Sequence, residues 1–318
     1  MGGLDFERPI LELESKIAEL KNSSSTKKVN LDAEIKKIEQ KIRKMKQEIY
    51  ANLTDWQRVQ IARYPGRPFT LDYVNMMTMD FMELHGDRLF ADDLSIIAGF
   101  ARINGNKVAI MGHQKGRDTK ENIRRNFGCA HPEGYRKAMR IMHMAEKFRL
   151  PIVIFIDTPG AYPGIGAEER GQAQAIAANL RDMIKISTPI IATIIGEGGS
   201  GGALGVGIAD RVCILQNAYY SVISPEGCAS ILWRNSLKAP DAANALKLTA
   251  EHLKKFGIVD EIIPEPPGGA HRDPEAVSAE LKKVILKFIK ELSSLSTAEL
   301  LEARYQKFRK IGEFIESK

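Results

Sequence analysis

The segment most suited to chemistry in this sequence is a run of glycines at residues 196–205. Six of its ten residues are glycine, and it lies between a predicted strand at 189–195 and a predicted helix at 201–209. Because glycine has no Cβ, the backbone N–H groups of such a turn can converge on one point. The segment therefore predicts a site for an anion, or for an oxyanion that develops during a reaction.

Two known kinds of site match the same glycines. Gly196, Gly198 and Gly201 have the spacing of a dinucleotide-binding fingerprint, although the next strand ends without the acidic residue that such a site needs. Gly198 and Gly202 also flank Ser200 as in the nucleophile elbow of a hydrolase. The residue types that must follow such a serine are present in the right order: Asp260 and His271.

A third possibility is an oxyanion hole made by the backbone N–H groups of Gly201 and Gly202. It requires only glycines where a ligand must approach the backbone, and Gly198 and Gly199 would then line the substrate site. A tight turn, in which strand and helix pack closely, would use the same glycines without any ligand. The residues alone leave these alternatives open.

A second candidate site is the loop at residues 157–166, which follows a predicted strand at 151–157. Ligands of α/β proteins bind at the carboxyl ends of strands. We therefore predict that Gly160, Ala161 and Tyr162 contact a substrate, although glycine and proline here also fit a simple turn.

A third candidate is a basic segment after the predicted strand at 107–112. Five of the eleven residues from 115 to 125 are basic, as expected for a loop that binds phosphate or carboxylate groups. Lys115 and Arg117 are the predicted substrate-binding side chains, and a solvated charged loop is the alternative. His113 is as compatible with packing as with catalysis.

These segments need a scaffold of strands and helices to position them. Short apolar runs predict strands at 95–103, 107–112, 151–157, 189–195, 211–216 and 220–224. Amphipathic patterns predict helices at 133–149, 167–186, 201–209, 226–234, 239–256, 274–293 and 297–313. Buried strands that alternate with helices indicate an α/β fold with a mainly parallel sheet.

The first 50 residues differ from the rest of the chain. They carry 11 basic and 9 acidic side chains, and apolar residues recur at helical spacing in two stripes. The second stripe runs from Leu31 to Ile49 with steps of 4, 3, 4, 3 and 4 residues. Residues 22–26 separate the stripes and predict the turn of a helical hairpin, which packs either on its own chain or on a partner.

Composition excludes several classes of protein. Lys+Arg 46 against Asp+Glu 40 gives a net charge of +6, too small an excess to indicate nucleic-acid binding. No apolar run approaches the ~20 residues of a membrane span, and the N-terminus lacks a signal-peptide pattern. The three cysteines are far apart and include no Cys-x-x-Cys pair, which predicts a reduced, cytoplasmic protein without its own metal site.

Several motifs together resemble one family, the alpha subunit of bacterial acetyl-coenzyme A carboxylase carboxyltransferase. The matching strings are residues 5–10, 67–73, 112–117, 126–128, 155–164, 166–172, 196–205, 224–233 and 268–272. They occur in one order along nearly the whole chain, and a small departure is Pro267, where the family is expected to have leucine.

The resemblance implies a crotonase-like fold, in which ββα units form a superhelix. It implies an N-terminal helical hairpin that docks a partner (1–50), a carboxyltransferase domain (51–293) and a C-terminal helix (294–318). The implied enzyme moves the carboxyl group of carboxybiotin, held on a biotin carboxyl carrier protein, to acetyl-CoA, giving malonyl-CoA for fatty acid synthesis.

The resemblance also assigns roles and partners. Gly201 and Gly202 would form an oxyanion hole facing biotin. A beta subunit would supply a second oxyanion hole and a zinc ion, in a complex of two alpha and two beta chains. A biotin carboxylase, which uses ATP, completes the larger assembly.

Overall fold

A mixed sheet of eight strands is the centre of the fold in the computed structural model, which describes residues 4–27 and 31–312. The strands are β1 (Met79–Glu83), β2 (Ile96–Ile103), β3 (Asn106–His113), β4 (Ile152–Thr158), β5 (Ile190–Gly199), β6 (Arg211–Leu215), β7 (Tyr219–Ser221) and β8 (Glu261–Ile263). Their order is β1-β2-β3-β4-β5-β6-β8, and β7 pairs with the end of β5.

Helices cover this sheet and extend from it. They are α1 (Arg8–Lys27), α2 (Asp32–Ala51), α3 (Asp55–Ala62), α4 (Thr70–Met77), α5 (Thr119–Arg124), α6 (Pro132–Lys147), α7 (Ile165–Glu169), α8 (Gln172–Met183), α9 (Ser200–Leu204), α10 (Pro225–Trp233), α11 (Ala239–Leu246), α12 (Ala250–Lys255), α13 (Pro274–Leu292) and α14 (Thr297–Arg309). The predicted α/β class is therefore confirmed.

The parallel part of the sheet places the candidate sites at one edge. β3, β4, β5 and β6 are parallel neighbours, so their carboxyl ends lie together. β4 and β5 are buried along their whole length, as their apolar sequences predict. The glycine segment, the loop after β4 and the basic segment after β3 consequently meet at this edge.

Some predicted elements differ from the structure. The turn predicted at residues 22–26 is wrong, because α1 continues to Lys27 and packs along α2. Serine lowers helix propensity by only a fraction of a kcal/mol, which pairing with a second helix overcomes. The helix predicted at 201–209 ends at Leu204, and β5 extends through the first glycines to Gly199.

Two long predicted helices are each divided by a residue in the left-handed backbone region. Gly171, with φ of 82°, separates α7 from α8. Lys247, with φ of 52°, ends α11 before α12 begins. Apolar periodicity continues across both breaks, so it does not reveal them. The division of the chain into three domains stays a prediction.

Candidate active site at the carboxyl ends of β4 and β5

The loops that follow β4 and β5 are in direct backbone contact. A Cβ added to Gly199 would clash with the carbonyl of Pro159. A Cβ added to Gly202 would lie 2.5 Å from the backbone nitrogen of Ala161 and would also clash with Gly160. Glycine at these two positions therefore allows the two loops to pack as one unit.

Two other glycines of these loops face open space. A Cβ at Gly160 would meet nothing within 4 Å, and a Cβ at Gly201 would meet only Ile176 Cδ1, at 3.7 Å. Neither glycine has a positive φ, so packing and backbone strain do not require glycine there. Space for a ligand therefore lies beside both positions, although the Gly160 N–H itself donates to Thr158 Oγ1 at 3.1 Å.

Gly201 and Gly202 lie in the first turn of α9, which starts at Ser200. N–H groups of a first helical turn have no carbonyl partner within the helix. Within residues 4–27 and 31–312, no hydrogen bond from either N–H to a residue outside the helix is present. Gly201 is half-buried and Gly202 is buried, so Gly201 is the more accessible of the two to a negatively charged oxygen.

The serine of this turn lacks the partners of a hydrolytic triad. Ser200 is exposed and has a φ of 50°, as a nucleophile elbow would require. Asp260, however, accepts a hydrogen bond from Val212 N at the opposite end of the sheet and pairs with Lys307. His271 stacks on Tyr64, with ring centroids 4.3 Å apart. The hydrolase alternative is therefore wrong.

A buried charged cluster lies directly beneath the two loops. Lys115 Nζ donates hydrogen bonds to Asp157 Oδ1 at 2.7 Å and to Glu197 Oε1 at 2.9 Å. Asp157 belongs to β4, Glu197 to β5, and Lys115 follows β3 by two residues. The cluster thus connects three neighbouring strands just before the glycine loops begin.

Further polar side chains extend the cluster from Glu197. Its Oε2 accepts hydrogen bonds from Arg63 Nε at 2.8 Å and from the Tyr219 hydroxyl at 2.6 Å. Arg63, at the end of α3, also pairs with Glu226 on α10. Two helices therefore contribute to the surroundings of the glycine loops. The sequence did not predict α3, and it did not indicate that α10 lies near this site.

The charges in this cluster determine its protonation. Burial alone would raise the pKa of Glu197, but the positive charges of Lys115 and Arg63 overcome this effect and lower it to about 2. Burial would likewise lower the pKa of Lys115, yet Asp157 and Glu197 hold it above its ordinary value. Lys115 and Glu197 consequently stay charged at neutral pH.

Arg117 and Tyr162, two other predicted substrate-binding residues, also have partners within the chain. The Arg117 guanidinium pairs with Asp72 and lies 4.0 Å from the centre of the Phe69 ring. The Tyr162 ring packs on His131, with centroids 4.0 Å apart. Their contact with substrate, like that of Lys115, stays a prediction.

His113 is a buried neutral group at the end of β3. Its ring lies close to the backbone of Gly202 and Phe155, although neither ring nitrogen forms a hydrogen bond of normal geometry within the described chain. Burial, with a smaller contribution from the Lys115 charge, lowers its pKa to about 3. The packing role that the sequence allowed for this histidine agrees with its position.

Neither a metal cluster nor a membrane helix is found in the part of the chain that the structure describes. No three His, Cys, Asp or Glu side chains there lie close enough together to bind a metal ion. Of the helices within residues 4–27 and 31–312, none is long and apolar enough to cross a membrane. Zinc on a partner subunit stays a prediction.

The fold is that of crotonase-like carboxyltransferases. A transcarboxylase 12S chain, solved with methylmalonyl-coenzyme A and methylmalonic acid, matches with a TM-score of 0.53 and 20% identity. The match covers 71% of this chain and 44% of that one, so the present chain spans less than half of its length. A chain of a Pseudomonas malonate decarboxylase hetero-tetramer in complex with coenzyme A matches with a TM-score of 0.53 and 17% identity, over 67% and 85% of the two chains.

The sequence comparisons are more specific. A family model described as "Acetyl co-enzyme A carboxylase carboxyltransferase-like" matches residues 3–312. The acetyl-coenzyme A carboxylase carboxyl transferase subunit alpha of Thermus thermophilus is 56% identical over 313 residues, covering 98% of this chain and 99% of that protein. The Geobacter metallireducens protein of the same name is also 56% identical, covering 98% of each.

This chain therefore belongs to the acetyl-coenzyme A carboxylase carboxyltransferase family, in its alpha-subunit branch. The family, the crotonase-like fold and the carboxyltransferase activity predicted from the sequence are confirmed. The dinucleotide alternative for the glycine segment is accordingly wrong.

Proposed function

We propose that the backbone N–H groups of Gly201 and Gly202 stabilise the oxyanion that forms on biotin while its carboxyl group is transferred to acetyl-CoA. The observation that carries this proposal is the open backbone at Gly201, in the first turn of α9 and beside the open Gly160 loop. The chain then acts as the alpha subunit of the carboxyltransferase that makes malonyl-CoA.

The reaction explains why glycines are suited to this site. When carboxybiotin loses CO₂, negative charge develops on the ureido oxygen of biotin, and loss of a methyl proton from acetyl-CoA creates a thioester enolate. Both oxygens need fixed N–H donors, and removal of one such donor costs ~10²–10³ in rate. Biotin itself can accept the methyl proton, so this chain need not supply a side-chain base.

The surrounding residues have supporting roles in this proposal. Gly198 and Gly199 shape the turn, since a Cβ at Gly198 would lie 2.9 Å from the Tyr220 ring. Gly160, Ala161 and Tyr162 line the other side of the site. Lys115 and Arg117 belong to the basic segment that follows β3. Both are paired with carboxylates within the chain.

The proposed partners complete the reaction. A beta chain would hold the enolate oxygen and a zinc ion in an assembly of two alpha and two beta chains, located in the cytoplasm. A biotin carboxyl carrier protein would bring carboxybiotin, and a biotin carboxylase would load it. Two homologues are themselves named as alpha subunits, which supports a function within a complex.

The N-terminal hairpin of α1 and α2 is the proposed docking element for a partner. Only Ile10, Ile35 and Ile42 of its apolar stripes are buried. The remaining stripe residues are half-buried: Leu13, Ile17, Leu20, Leu31, Ile38, Met45 and Ile49. Apolar stripes that stay half-exposed in this chain are suited to packing against a helix of another chain.

The test is malonyl-CoA decarboxylation with biocytin as acceptor, assayed on this chain, on a beta chain and on their mixture. We expect activity only from the mixture. Gly201→Val should lower kcat by about 10²-fold in a complex that still assembles, because the side chain would occupy the open side of the turn. Gly202→Val is unsuitable as a test, since it would clash with the Gly160–Ala161 backbone.

Ser200→Ala is the matched control in the same turn. Its hydroxyl has no proton to transfer in this mechanism, so we expect less than about a threefold change in kcat. Full activity of the isolated chain, or a larger loss in Ser200→Ala than in Gly201→Val, would overturn the proposal. If Gly160→Val alone lost activity, the donor would instead lie in the Gly160–Ala161 turn.

A further inference from the structure

Lys115 lies where three strands of the sheet end. Its side chain is 14% exposed, and its two carboxylate partners are buried more deeply still. The strand of Asp157 leads directly into the loop that contains Gly160, and that of Glu197 leads into the turn that contains Gly201. One ammonium group therefore connects the starting points of both loops.

The regular pairing of β4 with β5 fails at this point. Ile156 pairs with Ile194, but the next pair is Thr158 with Gly198, so two residues of β4 advance against four of β5. In the gap, Glu197 N donates a hydrogen bond to Asp157 Oδ1 at 2.9 Å. A hydrogen bond from backbone to side chain thus takes the place of a ladder hydrogen bond at this irregularity, just before pairing resumes at Thr158 and Gly198.

The backbone around the cluster leaves room for it. A Cβ at Gly196 would lie 2.6 Å from Asp157 Oδ1, so only glycine lets that carboxylate approach β5. A Cβ at Gly128 would lie 2.9 Å from Lys115 Cγ, and Gly128 has a φ of 79°. Phe127, just before it, also has a positive φ of 54°. The unfavourable backbone conformation of Phe127 indicates that contacts with the surrounding structure hold this segment in place.

Stability alone does not account for a buried cluster of this kind. Removing charges from water is costly, and well-packed apolar residues are often at least as stabilising as a buried ion pair. Ion pairs in such positions can instead define one geometry. In this chain, the geometry that the ion pairs can define is the distance between the Gly160 loop and the Gly201 turn.

We propose that Lys115 is a positioning residue, which holds the Gly160 loop and the Gly201 turn at the separation that the transferred group requires. This inference rests on the oxyanion role proposed above for Gly201. It replaces the direct substrate contact predicted from the sequence, because both carboxylates already hold the ammonium group. Lys115 acts on the reaction through the backbone of the two loops.

The matched control is Lys307 at the other end of the sheet. Its side chain is 13% exposed and its ammonium group pairs with Asp260. In the assembled alpha–beta complex, Lys115→Met should lower kcat for malonyl-CoA decarboxylation by about 10²-fold, because small displacements of reacting groups have effects of that size. The KM for malonyl-CoA should change less than threefold. Lys307→Met should leave both constants within threefold of the wild type.

Chemical rescue separates positioning from general loss of structure. In Lys115→Ala, added propylammonium can occupy the vacated space and restore the positive charge between Asp157 and Glu197. We expect it to raise kcat at least tenfold in this variant and to leave Lys307→Ala unchanged. If Lys115→Met does not assemble with the beta chain, Lys115→Ala with and without propylammonium provides the kcat comparison instead.

Three outcomes would overturn the inference. The first is a kcat loss in Lys115→Met no greater than that in Lys307→Met. The second is a raised KM with kcat unchanged, which would indicate that Lys115 binds substrate directly. The third is the absence of rescue of Lys115→Ala by propylammonium. The wild-type complex distinguishes the two proposals. An inactive wild-type complex contradicts the proposed function and this inference with it, whereas an active one with unaffected Lys115 variants contradicts the inference alone.

Discussion

The two ends of the central strands both contain buried ion pairs, but with different surroundings. At the carboxyl end, Lys115 pairs with Asp157 and Glu197 beneath glycine loops whose backbone is open at Gly201. At the opposite end, Arg304 of α14 pairs with both oxygens of Asp210, each at 2.8 Å. The same guanidinium donates to four backbone carbonyls: Met183 at 3.0 Å, Ile184 at 3.5 Å, Ile186 at 2.6 Å and Thr188 at 3.0 Å.

The difference shows that a buried charge is not by itself a sign of function. Arg304 attaches α14 to the carbonyls that follow α8 and to Asp210, and Asp210 in turn accepts a hydrogen bond from Ile190 N at the start of β5. Lys115 instead lies beneath two loops, and the N–H groups of Gly201 and Gly202 in one of them have no partner outside α9 among the described residues. The end proposed as functional is distinguished by the open backbone at Gly201 above the charges.

The largest expected effect is on stability, from Arg304→Ala. The substitution leaves the Asp210 carboxylate buried without its cation, which should lower the free energy of unfolding by about 3–5 kcal/mol. Chemical denaturation of the isolated chain measures this. For protein that remains folded and assembled, kcat should stay within threefold of the wild type, since α14 lies away from the glycine loops. A selective loss of kcat would contradict the contrast between the two ends.

A smaller effect concerns pH and His113, a group of the carboxyl end. Its pKa is lowered from 6.5 to about 3, so the unfolded chain takes up a proton below pH 6.5 that the folded chain does not. Stability from this group is therefore complete above pH 6.5 and is lost as the pH falls towards 3. At pH 5 the loss is about 2 kcal/mol.

The measurement compares the wild type with His113→Met between pH 7 and pH 5. The wild type should lose about 2 kcal/mol more unfolding free energy than the variant over this range. His271, whose pKa burial lowers to about 4, is present in both proteins and cancels in the difference. Equal pH dependence of the two proteins would show that His113 is protonated or solvated in the folded chain.

The sequence predicted the core of the fold because continuous apolar runs identify buried strands. The predicted strands at 151–157 and 189–195 correspond to β4 and β5. The short helices α3 and α4 were missed, since eight residues give little periodicity. The breaks at Gly171 and Lys247 were missed because they depend on a single backbone conformation.

The site was predicted in part for a similar reason. Glycine content revealed the turn, but it could not separate glycines that pack, such as Gly202, from those that face open space, such as Gly201. Lys115 was recognised as a basic residue without its partners. A signal for them was present: Asp157 and Glu197 are acidic residues at the ends of apolar strands, and a carboxylate in that position needs a cation.

The smallest effect on folding is expected from the N-terminal hairpin, whose attachment contrasts with both ends of the sheet. Glu7 at its base contacts Tyr50 and Arg272, and the Arg272 side chain is 35% exposed. Removal of Glu7 would leave Arg272 accessible to water, whereas removal of Arg304 would leave Asp210 buried. Deleting residues 1–50 should therefore lower the free energy of unfolding of the rest of the chain by less than about 2 kcal/mol.

If the proposed docking role holds, the same deletion should weaken assembly, because the half-buried apolar stripes of α1 and α2 would be lost from the proposed partner interface. Sedimentation or size-exclusion measurements of the truncated chain with a beta chain should show at least a tenfold higher dissociation constant. Glu7→Gln, which keeps the hairpin, is the control and should assemble as the wild type does. Unchanged affinity after truncation would mean that the hairpin packs only on its own chain, and a collapse of the remaining fold would mean that its base is as essential as the Arg304 attachment.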